Sequence, residues 1–175
     1  MTPLSTHIPR IETARLILRG HEARDFAAFA TMLADPRMKY MGGPFNRDAA
    51  WDYFANNSAN WCLHGFGAWT LTDKEDRFLG DIGILKPDAF PEPELGWSLG
   101  ASAEGNGYAQ EGARAALDWY WAASDAPSIV SYITPGNTRS EALATCLGAT
   151  PDPNAPLPRG ETADDTTVYR HRRPQ

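Results

Sequence analysis

Two glycines one residue apart, Gly105 and Gly107, run directly into the alanine-rich stretch "YAQEGARAALDWYW" at 108–121. Lacking a Cβ, each tolerates a positive φ and lets a ligand approach the main chain closely. The first amides of a helix beginning near Tyr108 have no intrahelical partner, and the helix dipole adds about half a positive charge there. Together these features describe an anion site that needs no lysine. The same pair also suits a tight strand-to-helix turn that holds nothing. Two phosphate motifs are excluded by inspection. "GNGYAQ" lacks the GK[ST] ending of a P-loop, and Gln110 stands where the dinucleotide fingerprint requires its third glycine.

The other reactive side chains form no such pattern. His7, His21, His64 and His171 are scattered without HExxH spacing, and Cys62 and Cys146 lie far apart without CxxC spacing. Neither a metal site nor a disulfide framework is suggested. A formal net charge of −6 disfavours nonspecific binding to nucleic acid or an anionic membrane. Any anionic ligand must therefore be held by a local site. No apolar run approaches the roughly 20 residues that span a bilayer, and "MTPLSTHIPR" has neither the charged start nor the apolar stretch of a signal peptide. A cytoplasmic protein fits this composition.

The elements that must position the glycines follow from periodicity. "RLILR" at 15–19 alternates as a strand. "RDFAAFATMLAD" places Phe26, Phe29, Ala30 and Leu33 at helical spacing and stops at Asp35-Pro36, because the residue before proline resists the α region. A second helix spans 47–61. A hairpin follows, with strands at 66–72 and 78–86 around the charged turn "DKEDR", then strand 94–100, the glycine-led helix, strand 128–134, helix 139–148 closed by Gly148, and a last strand in "TTVYRHR". At 175 residues this is one domain, able to bury a core and keep a cleft. The order suits an α+β (mixed α/β) fold, with helices covering both faces of a largely antiparallel sheet.

With the elements in place, "EGNGYA" after a strand ending "WSLG" resembles the acetyl-coenzyme A motif of the GNAT acetyltransferases, [RQ]-x-x-G-x-[GA]. Gly107 and Ala109 match it, and Glu104 stands where Arg or Gln is usual. Three more segments, in order, resemble the RimJ/RimL-like branch that acetylates N-terminal amines of ribosomal proteins. They are "IETARLILR" (11–19), "ADPRMKYMGG" (34–43) and "GNTRSEALATCLGA" (136–149). The resemblance implies a central sheet splayed between the strands at 94–100 and 128–134, with acetyl-coenzyme A in the opening. It implies a pantetheine arm paired with backbone of Ser98, Leu99 and Gly100 and bonded to the Asn137 side chain. It implies a pyrophosphate resting on amides of Gly105, Asn106, Gly107, Tyr108 and Ala109, with Glu104 at the first motif position also among the cofactor-binding residues. No metal is implied.

The implied reaction is direct attack of a primary amine on the thioester in a ternary complex, the acceptor being a protein N-terminus, possibly ribosomal, or a small amine. Many GNAT enzymes carry a tyrosine seven residues after the asparagine; here Ala144 stands there, and the branch's serine is Ser140. Ser140 is the candidate for stabilising the departing sulfur, or else it bonds backbone in the first turn of its helix. Glu94 is the candidate proton acceptor, or else a solvated strand-edge carboxylate. Arg114 and Arg139 either steer the outer phosphate or form a solvated face. The stretch Met38 to Arg47 is the candidate acceptor wall by family analogy, while most of the six tryptophans read as core. Deprotonating an α-amine at pH 7 costs roughly 1 to 1.4 kcal/mol against about 4.6 for lysine, which favours α-amines. A non-catalytic acyl-coenzyme A binder of the same fold is the competing reading, and both monomer and homodimer remain open.

Overall fold

Strand residues alternate between two faces, and here the two faces carry different chemistry. In the computed structural model, which describes residues 8–174, Leu16, Leu18, Trp69, Leu71, Ile82, Ile84 and Leu95 are buried on one face. The first seven residues, including His7 and most of the N-terminal stretch read for a signal peptide, lie outside the described residues.

The strands are β1 (Ile11–Glu12), β2 (Leu16–Arg19), β3 (Ala68–Asp73), β4 (Phe78–Leu85), β5 (Glu94–Leu99), β6 (Ser128–Ile133), β7 (Thr150–Pro151) and β8 (Thr167–Arg172). They form one eight-stranded sheet in the order β1-β2-β3-β4-β5-β6-β8-β7, antiparallel except between β5 and β6. The expected mixed α+β sheet is present. The two-residue strands β1 and β7 were invisible to periodicity, which needs four or more residues.

Four α-helices cover this sheet: α1 (Phe26–Leu33), α2 (Arg47–His64), α3 (Tyr108–Ala123) and α4 (Thr138–Cys146). Helix α3 lays Ala113, Ala116, Leu117 and Tyr120 on the apolar face. Its small residues bring the axis close to the strands, and each large apolar side chain buried there contributes about 1.5–3 kcal/mol. Helices α1 and α2 build a separate cluster around Phe29, Phe54 and Met38. They meet the other sheet face through polar contacts: Asp25 accepts from Thr70 at 3.1 Å and Asp81 accepts from Asn57 at 3.1 Å.

Local chemistry sets the helix ends. Asn46 caps α2 by accepting from the Ala49 amide at 2.9 Å, and Gly65 ends it in the left-handed region. Helix α1 stops before Asp35-Pro36 as expected, but the break that follows is itself ordered. A 3-10 helix spans Pro36–Met41, started by Asp35 accepting from the Arg37 amide. Tyr40 then ties this segment to the β6–α4 turn: its hydroxyl donates to Gly136 O at 3.1 Å, and its carbonyl accepts from Thr134 at 2.9 Å.

Candidate active site

β5 and β6 share a single pair of register partners, Glu94 and Val130. Ser131 Oγ donates to Leu95 O at 2.7 Å and locks this vertex. Beyond it the two strands are not paired, and a cleft of about 1810 Å³ occupies the opening and continues between α2 and the polar sheet face. Glu94, Ser98, Leu99, Glu104, Gly105, Ala109, Asn137 and Ser140 all border this cleft; Gly100, Asn106, Gly107 and Tyr108 do not.

The glycine pair adopts the backbone expected of it. Gly105 has φ +76°, and Gly107, the N-cap of α3, has φ +75°. A Cβ at Gly105 meets nothing within 4 Å, and one at Gly107 meets only Arg15 Nη2 at 3.5 Å. No side chain caps α3, which leaves its first-turn amides for an anion. The cradle is therefore open and fits a diphosphate. Its shape is held from a distance by Arg15, which donates to Asn106 O at 2.9 Å and to Glu111 Oε2 at 2.7 Å and covers the Tyr108 ring. Asn106 donates back to Glu104 O and Ala103 O and so shapes the loop.

One expectation about the pantetheine strand needs correction. Gly100 N donates to Leu79 O, and the β4–β5 ladder alternates without a shift. The N–H and C=O of Ser98 and the N–H of Gly100 therefore face β4, and the Gly100 carbonyl accepts from the Ala103 amide at 2.9 Å. Of the three residues expected to pair with pantetheine, only Leu99 offers backbone to the opening, and Trp97 joins it.

Asn137 caps α4, its Oδ1 accepting from the Ser140 amide at 3.4 Å. Ser140 sits in the first turn with its hydroxyl making no hydrogen bond within the described residues. The backbone-bonded alternative is thus not what the structure contains. Glu94 stands at the vertex, where burial pushes its carboxyl up to about 8, against the amide of Tyr132 that accommodates the charge and with the charge of Glu161 adding to the rise. Of the stretch Met38 to Arg47, the residues Met38, Lys39, Tyr40 and Met41 border the cleft. Trp61 and Trp69 are core, whereas Trp51 is half exposed.

The family pattern described as the acetyltransferase (GNAT) domain matches residues 15–150. The chain belongs to the GNAT acetyltransferase family. It resembles the acetyltransferase from Agrobacterium tumefaciens str. C58 at 38% identity and a TM-score of 0.89, over 99% of each chain. The uncharacterized protein YkkB of Bacillus subtilis (strain 168) is 32% identical over 144 residues, 79% of this chain and 84% of YkkB. The RimL ribosomal L7/L12 α-N-protein acetyltransferase, solved in complex with coenzyme A, shares the fold at a TM-score of 0.75 and 15% identity, over 94% of this chain and 98% of that one. Acetyl transfer is accordingly the chemistry of this GNAT fold. Among the described residues no group of three or more His, Cys, Asp or Glu side chains is placed to hold a metal ion, and no helix is long and apolar enough to cross a membrane.

In this GNAT chain Glu104 departs from the motif, and the structure shows where its charge goes. Its carboxylate forms ion pairs of 2.5 Å with both Arg37 Nη1 and Arg139 Nη1, tying the 3-10 segment to α4 at the cleft rim. An incoming phosphate must compete with this internal anion. Glu104→Gln is expected to tighten coenzyme A binding by about two- to fivefold, the range of exposed ion pairs. Calorimetry at two salt concentrations checks it; equal or weaker binding defeats it.

Asp81 and Asn57 escaped sequence reading. Asp81 is 7% exposed, borders the cleft, and is pushed up to about 7 by burial, against hydrogen bonds from Asn57 and Ser98. The available signal was a lone carboxylate inside the apolar strand "FLGDIGIL". Because its folded pKa lies above the unfolded value of 3.8, the stability it contributes is present below pH 3.8 and is lost as pH rises through about 7. Asp81→Asn should therefore raise Tm more at pH 8 than at pH 5, by about 2–4 °C for each kcal/mol recovered in a domain of this size. Thermal melts at the two pH values read the difference, and a gain confined to pH 5 contradicts it.

Proposed function

We propose that this GNAT enzyme transfers an acetyl group from acetyl-coenzyme A to a primary α-amine by direct attack in a ternary complex. The observation that carries the reading is spatial. Gly105 and Ala109 at the two ends of the glycine cradle, Ser140 with its unpartnered hydroxyl and Glu94 with its raised carboxyl border one continuous cleft at the β5–β6 splay. Acetyl-coenzyme A, when bound, supplies a thioester whose acyl carbon accepts an amine.

The chain's own groups have distinct tasks. Amides from Gly105 to Ala109 take the diphosphate, with the α3 dipole behind them. Asn137 uses Oδ1 for capping, which leaves Nδ2 as a donor for pantetheine. Backbone of Trp97 and Leu99 extends the pantetheine pairing as an added strand. Glu94 accepts the proton from the attacking nitrogen, directly or through water. A base near pH 8 is matched to an α-amine of pKa about 7.7–8.0 and poorly matched to lysine near 10.4. Ser140 Oγ donates a hydrogen bond to the sulfur as the carbon–sulfur bond breaks. A protein N-terminus, ribosomal or otherwise, and a small α-amine both present this acceptor.

The test is release of free thiol with and without an α-amine peptide, beside a peptide whose only amine is a lysine side chain. Thiol release that requires the free α-amine supports the reading; coenzyme A binding without any turnover makes the chain a binding module instead. Ser140→Ala is expected to lower kcat by about tenfold, the worth of one hydrogen bond, while coenzyme A affinity stays within twofold. An unchanged kcat removes the serine from the mechanism.

A further inference from the structure

Two carboxyl groups lie on the same face of adjacent strands in the acceptor half of the cleft. Asp81 is the cross-strand partner of Ser98, and Ser98 lies four residues beyond Glu94 on β5. At ~3.4 Å per residue the backbone positions of the two lie about 14 Å apart along the sheet, and the Glu94 carboxyl leans from its end toward Gly96 and so toward Asp81. Between them the floor is built from the facing pair Gly83 and Gly96. A Cβ at Gly96 meets only Glu94 Oε1, at 3.8 Å, so the space above this glycine is open and adjoins the proposed base.

Neither carboxyl has an arginine or lysine partner among the described residues, although sixteen ion pairs occur elsewhere, Asp88–Arg159 included. The other ionisable groups around these two carboxyls are Asp52, Tyr53, His64, Lys86, Asp88 and Tyr132 along the cleft, with Glu161 acting on Glu94. The one ammonium among them, Lys86 Nζ, donates to Phe90 O. Beside the glycine cradle Arg37 and Arg139 flank the Glu104 carboxylate. The guanidinium groups of the cleft thus have carboxylate partners, whereas Glu94 and Asp81 have no cationic one. A buried carboxylate without a counter-ion is costly, and a cation brought by a ligand removes that cost.

We infer that Asp81, oriented by Asn57, is a specificity-determining residue that binds a positively charged side chain on the same acceptor residue whose α-amine faces Glu94. The preferred acceptor class is an N-terminal arginine or lysine, or a small amino compound of that shape. The α-amine and the side-chain cation of such a residue supply the two counter-ions that Glu94 and Asp81 lack. The inference rests on the α-amine acetylation proposed above and names its substrate.

The experiment compares two tetrapeptide amides identical except for the first residue, arginine or its uncharged isostere citrulline, with acetyl-coenzyme A saturating. The intact enzyme should favour the arginine peptide at least tenfold in kcat/KM, the advantage residing in KM and shrinking at high salt. In Asp81→Asn that ratio should fall to within twofold of one. The intact enzyme provides its own control should the variant fail to fold, because equal use of both peptides overturns the inference without any mutation. A preference that survives Asp81→Asn also overturns it. If neither peptide is acetylated while coenzyme A still binds, the α-amine reading fails first and the inference falls with it.

Discussion

Gly107→Val is expected to weaken coenzyme A binding by about 100-fold or more. Gly107 holds φ +75° and ψ 8° at the N-cap of α3, a conformation that a β-branched residue adopts only at a cost of about 1–3 kcal/mol. Relief requires the 104–107 loop to change course, and the amides of the first turn of α3 then no longer converge. The Cβ also points at Arg15 Nη2, 3.5 Å away, whose guanidinium holds the Asn106 carbonyl. Losing one or two charge-assisted hydrogen bonds, each worth about 1.5–3 kcal/mol, accounts for a hundredfold loss. Calorimetry with coenzyme A reads the affinity, and far-ultraviolet circular dichroism confirms that the variant is folded. A folded variant that binds as tightly as the parent ends the proposal that this bend grips the diphosphate.

Glu94→Gln is expected to lower kcat by about 10²–10⁴, the usual share of general-base catalysis, with coenzyme A affinity within twofold of the parent. The pH profile separates a base from a merely structural carboxyl. Burial holds the Glu94 carboxyl at about 8, so only its deprotonated fraction accepts a proton, and kcat should climb as pH rises through about 8 and flatten above. With an acceptor amine of pKa low enough to be neutral throughout this range, that limb disappears from kcat in the glutamine variant. A parent profile flat between pH 6 and 9, or a variant that keeps the rising limb, shows that the proton leaves by another route.

Much of this site can be traced to short stretches of sequence, and the rest to contacts that no short stretch contains. The Gly105–Gly107 bend was legible because positive φ belongs to glycine and two such residues directly before a helix are rare without cause. Ser140 was legible only through the resemblance to the RimJ/RimL-like pattern, which carries a serine three residues after the asparagine. Arg15 was not, since its partners Asn106 and Glu111 follow 91 and 96 residues later. Asp81 was passed over because an alternating strand is expected to carry polar residues on its open face. Only the packing of α2 turned that face into the floor of a cleft. Strand 94–100 was legible as a strand, and the direction in which its backbone groups face was not. Which of Leu99 and Gly100 turns its amide to the opening depends on the β4 ladder, through the bond from Gly100 N to Leu79 O.

The sequence by itself determined the mixed α+β order of elements, the glycine bend and the α4 turn that carries Asn137 and Ser140. Each of these is a property of backbone conformation or of spacing within a single element. Only the tertiary structure decided that Glu94 carries a carboxyl with a raised pKa, that Glu104 is held by two arginines, and that Asp81 lines the cleft. Electrostatic character depends on which atoms surround a group and how much water they exclude, and those neighbours come from elements remote in the chain.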